Sequence, residues 1–135
     1  MVKQLNKDCI VNLKKNGHPV IIVAAVGEAE AIINSCKEKG IKIAAICDNI
    51  KEKSMSKFCG LEVIHTPSLP EKFSKARFII ASQHIQDCIE QLTLLGYDEF
   101  YSPLEILKNY EIEKYSHKIS NSYLQARISV CTKSH

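Results

Sequence analysis

The sequence predicts an α/β fold built on a parallel sheet, and three observations carry that expectation. Short apolar runs alternate with stretches of helical periodicity, "VIIVAA" before "EAEAIINSCKEK" and "ARFIIA" before "QHIQDCIEQLTL". Glycine stands where each of these helical stretches ends, at Gly40 and Gly96. Parallel strands require crossover helices, and right-handed crossovers at this spacing give an open sheet of about five strands in the order 3-2-1-4-5 with helices on both faces.

The elements follow in chain order. Val20 to Ala25 reads as the first strand, and Ala29, Ile32, Ile33 and Cys36 recur at helical spacing over Glu28 to Lys39. "IKIAAIC" over Ile41 to Cys47 reads as the second strand, running into Asp48-Asn49 and the polar stretch "IKEKSMSKFCG", a loop or short irregular helix. A third strand is expected at Leu61 to His65, and Pro67 and Pro70 leave room only for a brief helix around Ser68 to Phe73. The fourth strand, Arg77 to Ala81, leads into a helix over Gln83 to Leu95 with Ile85, Cys88, Ile89, Leu92 and Leu95 inward. A short strand at Glu99 to Ser102 precedes "PLEILKNY", where Pro103 suits the first turn of a closing helix.

With 135 residues, 45% of them hydrophobic, the chain can bury one sizeable core and is short for two domains. Residues 1–19 read as a polar, helical N-terminal segment, 20–110 as the sheet domain and 111–135 as a polar tail or linker helix with a thin stripe of Ile112, Tyr115 and Ile119. The net charge of +3 is spread without a dense basic run, so neither nucleic acid nor membrane is an expected partner. No signal peptide or membrane span is read, and Cys9, Cys36, Cys47, Cys59, Cys88 and Cys131 lie far apart without zinc spacing. Reduced thiols in a cytoplasmic protein are the expectation, with no metal site. His18, His65, His117 and His135 read as loop or surface residues, and Cys47 as a small buried hydrophobe.

The candidate site lies where the strand order reverses, because ligands of open parallel sheets bind beyond the carboxyl ends of the strands at that point. Folds that bind dinucleotides place Gly-x-Gly-x-x-Gly there, and this chain offers Ala25, Gly27 and Glu30 in that register. Val26, Gly27 and Glu28 form the candidate cradle. Glu28 and Glu30 favour the helix dipole and compete with a phosphate for the same N–H groups. Asp48 and Asn49 follow Gly27 by about twenty residues, where an acid holds ribose hydroxyls; capping the following turn is the other role open to Asp48. Ser82, Gln83 and His84 are expected to face the same crevice, with helix capping the other role for Ser82 and solvent exposure the other for His84. No catalytic residue is assigned, since no G-x-S-x-G, P-loop or H-E-x-x-H is present.

The succession "AVGEAEAI", "GIKIAAICDN", "GLEVIHTPSLP", "ARFIIASQH" and "LLGYDEFYSPLEIL" resembles the Rossmann-like N-terminal accessory domain of FkbM-type methyltransferases. It is also similar to the nucleotide-sugar-binding N-terminal domain of PglD-type sugar acetyltransferases. The likeness covers Val20 to Leu107. It implies a nucleotide- or nucleotide-sugar-binding module of a methyltransferase or other sugar-modifying system for surface glycans. The S-adenosylmethionine domain of the first family and the β-helix of the second are expected to lie outside this chain, which is then not catalytic alone; as part of an enzyme it would serve a transferase.

Two other functions stand beside this one: an interaction or scaffold domain with a vestigial pocket and, least favoured, an NAD-dependent oxidoreductase. The cofactor is therefore open between a nucleotide-sugar and NAD. A nucleotide-type small molecule is the expected ligand, and a methyltransferase chain, a glycosyltransferase chain or a second copy the expected macromolecular partner.

Overall fold

A computed structural model describes residues 5–107; the expected tail over 111–135, with His117, Cys131 and His135, lies outside the described residues. The strands are β1 (Val20–Val23), β2 (Ala45–Asp48), β3 (Lys57–Phe58), β4 (Leu61–His65), β5 (Arg77–Ile80) and β6 (Phe100–Tyr101), and they form one sheet in the order β3-β4-β2-β1-β5-β6. All pairings are parallel except β3 with β4. The architecture is thus α/β with a mostly parallel sheet.

The count and order differ from the five strands in the order 3-2-1-4-5 that the sequence predicts. The extra strand is β3, in a stretch whose polarity reads as loop. It pairs only through Lys57 with Glu62 and Phe58 with Leu61, across a two-residue turn in which Cys59 (φ 50°) and Gly60 (φ 78°) are both left-handed. Such a turn matches the twist of a hairpin, and a cysteine at its first position hides the usual Asn-Gly signal.

Every residue of β1, β2 and β5 is buried, as strands covered on both faces must be. The cover comes from helices α1 (Cys9–Lys14), α2 (Gly27–Lys39), α3 (Leu69–Lys72) and α4 (Ile85–Leu94). Helix α2 buries Ala29, Ile32, Ile33 and Cys36, and α4 buries Ile85, Ile89 and Leu92, the stripes their periodicity predicts. Because α2 and α4 lead in opposite directions along the sheet, right-handed crossovers put them on opposite faces. Phe78 anchors the β5 side, edge-to-face with Tyr97 at 4.8 Å and beside Phe100 at 6.1 Å.

Several boundaries move for local reasons. Strand β2 starts at Ala45, because Gly40 (φ 76°) and Ile41 end α2: the Ile41 N–H donates to the Cys36 carbonyl at 2.8 Å, and Ile41 is buried against the helix it follows. Helix α4 starts at Ile85, and the expected closing helix at Pro103 is a 3-10 turn over Pro103–Glu105 whose Leu104 N–H is accepted by Ser102 Oγ.

The N-terminal segment joins the same core. Leu5, Cys9 and Leu13, spaced by four, are all buried. Asn6 closes the edge of β6, its N–H donating to the Phe100 carbonyl at 2.6 Å and its Oδ1 accepting from the Phe100 N–H at 2.7 Å. Among the described residues no helix is long and apolar enough to cross a membrane.

Candidate functional site

Strand β1 ends in an unusual turn. The Ala24 N–H continues the ladder to the Cys47 carbonyl at 2.7 Å, and a regular strand would send the next N–H to the opposite side. Instead Ala24 adopts φ 84°, and the Ala25 N–H also points toward β2, donating to Asp48 Oδ2 at 2.8 Å. The left-handed residue of the cradle is therefore Ala24, not the Ala25 or Gly27 of the glycine register. Gly27 is the first residue of α2, exposed, and a Cβ placed on it would meet nothing within 4 Å.

Asp48 is 7% exposed and ties two loops together. Its Oδ1 accepts from the Ile50 N–H at 2.8 Å, the turn-capping role, while Oδ2 holds Ala25. Lys53, in a 3-10 turn over Lys51–Met55, donates to the Ala25 carbonyl at 2.9 Å and lies 3.6 Å from Asp48 Oδ2. Asp48, Lys53 and the β1–α2 turn thus form one unit in which the carboxylate has a counter-ion and two backbone donors. The spacing of Asp48 after Gly27 is legible in sequence; the pairing with Lys53 is not, since nothing local fixes it.

Asn49 is joined to Gln91 of α4 by a reciprocal amide pair, Asn49 Nδ2 to Gln91 Oε1 at 3.0 Å and Gln91 Nε2 to Asn49 Oδ1 at 2.8 Å. The ring of His65 reaches the Asn49 carbonyl at 3.2 Å. The end of β2 is therefore bridged to the opposite helix. On the far side the expected helix cap is corrected: α4 is preceded directly by His84, and Ser82 Oγ accepts the His84 N–H at 3.0 Å from outside the helix.

These loops enclose a cavity of about 270 Å³. Of the candidate residues it brings together Val26, Asp48, Asn49, Ser82 and His84, while Gly27, Glu28 and Gln83 do not line it. It adds Thr66, Cys88 and Gln91, which sequence reasoning misses because an isolated Thr, Cys or Gln on a periodic element carries no signal of facing a crevice. The volume sits just below the roughly 300 Å³ at which small-molecule pockets begin, enough for one ring of a ligand rather than a whole dinucleotide.

The lining is mostly apolar, and its few polar side chains offer hydrogen bonding. Burial pushes the Cys47 thiol up to about 12, a Thr66 hydrogen bond opposing it. Burial likewise raises the Cys88 thiol, against a Ser82 hydrogen bond that lowers it. Both are protonated thiols at neutral pH, not nucleophiles. Among the described residues no carboxylate bonds the His84 ring, and no cluster of three His, Cys, Asp or Glu could hold a metal ion. What the crevice can do is orient a neutral polar group with the Asn49, Gln91, Ser82 and His84 side chains.

No family model matches the chain, and no curated protein is significantly similar to it.

Proposed function

We propose that the chain is a Rossmann-like module that binds a nucleotide or nucleotide-sugar at the carboxyl end of its sheet and serves a sugar-modifying transferase, of the FkbM-type methyltransferase kind, without performing the transfer itself. The observation that carries this reading is the convergence of the β1–α2 turn, the end of β2 and the β5–α4 turn on one cavity, mostly apolar with a few polar side chains, beside the open start of α2. A base or sugar fits the cavity, and its phosphates would lie outside, over Gly27 and Glu28, where helix N–H groups favour anions. Asp48 then shapes the turn, and the ligand contacts fall to Asn49, Ser82, His84 and Gln91.

Gly27→Ala separates fold from ligand, because the added methyl meets no protein atom. Isothermal calorimetry with UDP-sugars and NAD is expected to give saturable binding of one class, weakened about tenfold or more by Gly27→Ala at unchanged thermal stability, a loss of about 1.4 kcal/mol. Absence of saturable binding by any of them would overturn the reading.

A second reading, a scaffold domain with a vestigial pocket, is favoured by the Asn49–Gln91 bridge, which already satisfies two of the four polar side chains. It predicts that Gln91→Ala creates no binding and that the chain co-purifies with a transferase; a monomer without such association would remove it.

A further inference from the structure

We propose that the cleft at the opposite end of the sheet, below the amino ends of β1 and β5, is a second site that takes a phosphate group carried by a small molecule. This proposal is independent of the crevice reading. The cleft measures about 610 Å³ and is lined by Lys14, Lys15, His18, Lys42 and Arg77, with no aspartate or glutamate among its described lining residues.

Arg77 is the built part of the site. The first residue of β5, it is 8% exposed, and its guanidinium is fixed by three backbone acceptors: Nε donates to the His18 carbonyl at 2.6 Å, and Nη1 to the Asn12 and Lys15 carbonyls at 2.8 and 3.2 Å. Gly17 lies flat against it, so that a Cβ there would stand 3.6 Å from Cζ. The described residues supply neither an acceptor for Nη2 nor a carboxylate for the charge. No buried side-chain nitrogen among them lacks a partner, so Nη2 keeps some contact with solvent, and Arg77 is one of the residues that line the cleft. A charge so deeply placed is ordinarily paired. Here one terminal nitrogen of a guanidinium immobilised through its other two, with two N–H donors left, lies among the lysines that line the cleft, and a charge-assisted donor of that kind suits an oxygen of a phosphate.

The competing explanation is that the lysines answer only the carbonyl ends of α1 and α2, since Lys14 lies in the last turn of α1. It accounts for Lys14, but not for Lys42, which lies beyond Gly40, nor for Arg77, whose charge no carboxylate among the described residues pairs.

The test is a ¹H–¹⁵N titration of the full chain with inorganic phosphate and with pyrophosphate at constant ionic strength. Because Arg77 anchors α1, the variant is Lys14→Glu with Lys42→Glu, two exposed residues, with amide dispersion reporting that it folds. The expected result is saturable shifts confined to the Gly17, Gly40 and Lys42 amides and the Arg77 Nε–H, with affinity at least tenfold weaker in the double variant. Shifts that do not saturate, that map to Gly27 and Ser82 instead, or that the double variant leaves unchanged would overturn the proposal.

Discussion

Asp48 and Arg77 are the two deeply buried charges of the described sheet, 7% and 8% exposed, one at the carboxyl end of β2 and one at the amino start of β5. Both bond to backbone groups of loops far away in sequence. They differ in compensation: among the described residues Asp48 has Lys53 at 3.6 Å, whereas Arg77 has carbonyl oxygens and no carboxylate. The carboxyl end is electrostatically closed and its polar groups mostly hold one another; the amino end keeps a fixed positive charge facing a cleft. The pole where a ligand is expected from the fold is thus the more self-satisfied of the two.

Removing Arg77 is the harshest way to break the comparison. Arg77→Met keeps the apolar stem and abandons three carbonyls of the α1 region, and it is expected to cost about 3 kcal/mol, since a hydrogen bond to a charged group contributes about 1.5–3 kcal/mol net and water can reach part of the freed carbonyls. Chemical denaturation measures it, and a loss under about 1 kcal/mol would show that water substitutes fully for the guanidinium.

Asp48→Ala releases the Ala25 and Ile50 N–H groups and should cost about 2 kcal/mol. Lys53→Met should cost under about 1 kcal/mol, because the Lys53 side chain is 36% exposed and such pairs are screened. A double-mutant cycle reports their coupling; equal losses from the two single variants would mean that the ion pair, not the backbone bonds, dominates.

The thiols sharpen the contrast by staying neutral. Burial raises both Cys36 and Cys47 from 9.0 to about 12. Below the unfolded value both states are protonated and nothing changes; above it the unfolded chain ionises first, so stability falls as pH rises from 9 toward 12. Between pH 8 and 10 the loss should be about 1 kcal/mol per thiol, read by urea denaturation and absent in a Cys36→Ala, Cys47→Ala variant.

The smallest effect tests the turn that Asp48 holds. Ala24→Gly relieves a left-handed alanine at φ 84°, worth about 1–2 kcal/mol, against an unfolded-state entropy cost of up to about 1 kcal/mol. A rise in thermal midpoint is expected; a fall would show that the alanine methyl contributes packing which outweighs the strain.

Much of the fold is legible in the sequence because period and composition are local. The stripes of α2 and α4, the continuous apolar runs of β1 and β5 and the glycine stop at Gly40 need no knowledge of what they pack against. The site is less legible. Asp48 and Asn49 can be picked from their place after a strand, yet their partners Ala25, Lys53 and Gln91 come from other elements, and amides such as Gln91 look like any solvent-facing helix residue. Gly27 draws attention as the surviving glycine, while the strained position is Ala24, whose φ follows from the carboxylate that its neighbour must reach.

By itself the sequence determined the α/β class, the alternation of strands and helices and the faces they bury, because those follow from hydrophobic periodicity along a short window. Only the tertiary structure decided the sixth strand, the bond network around Asp48, the Asn49–Gln91 bridge and the exposure of Arg77 to a basic cleft. Each of these joins residues from different elements, and pairing across such distances depends on the order in which strands stand side by side, which no local pattern encodes.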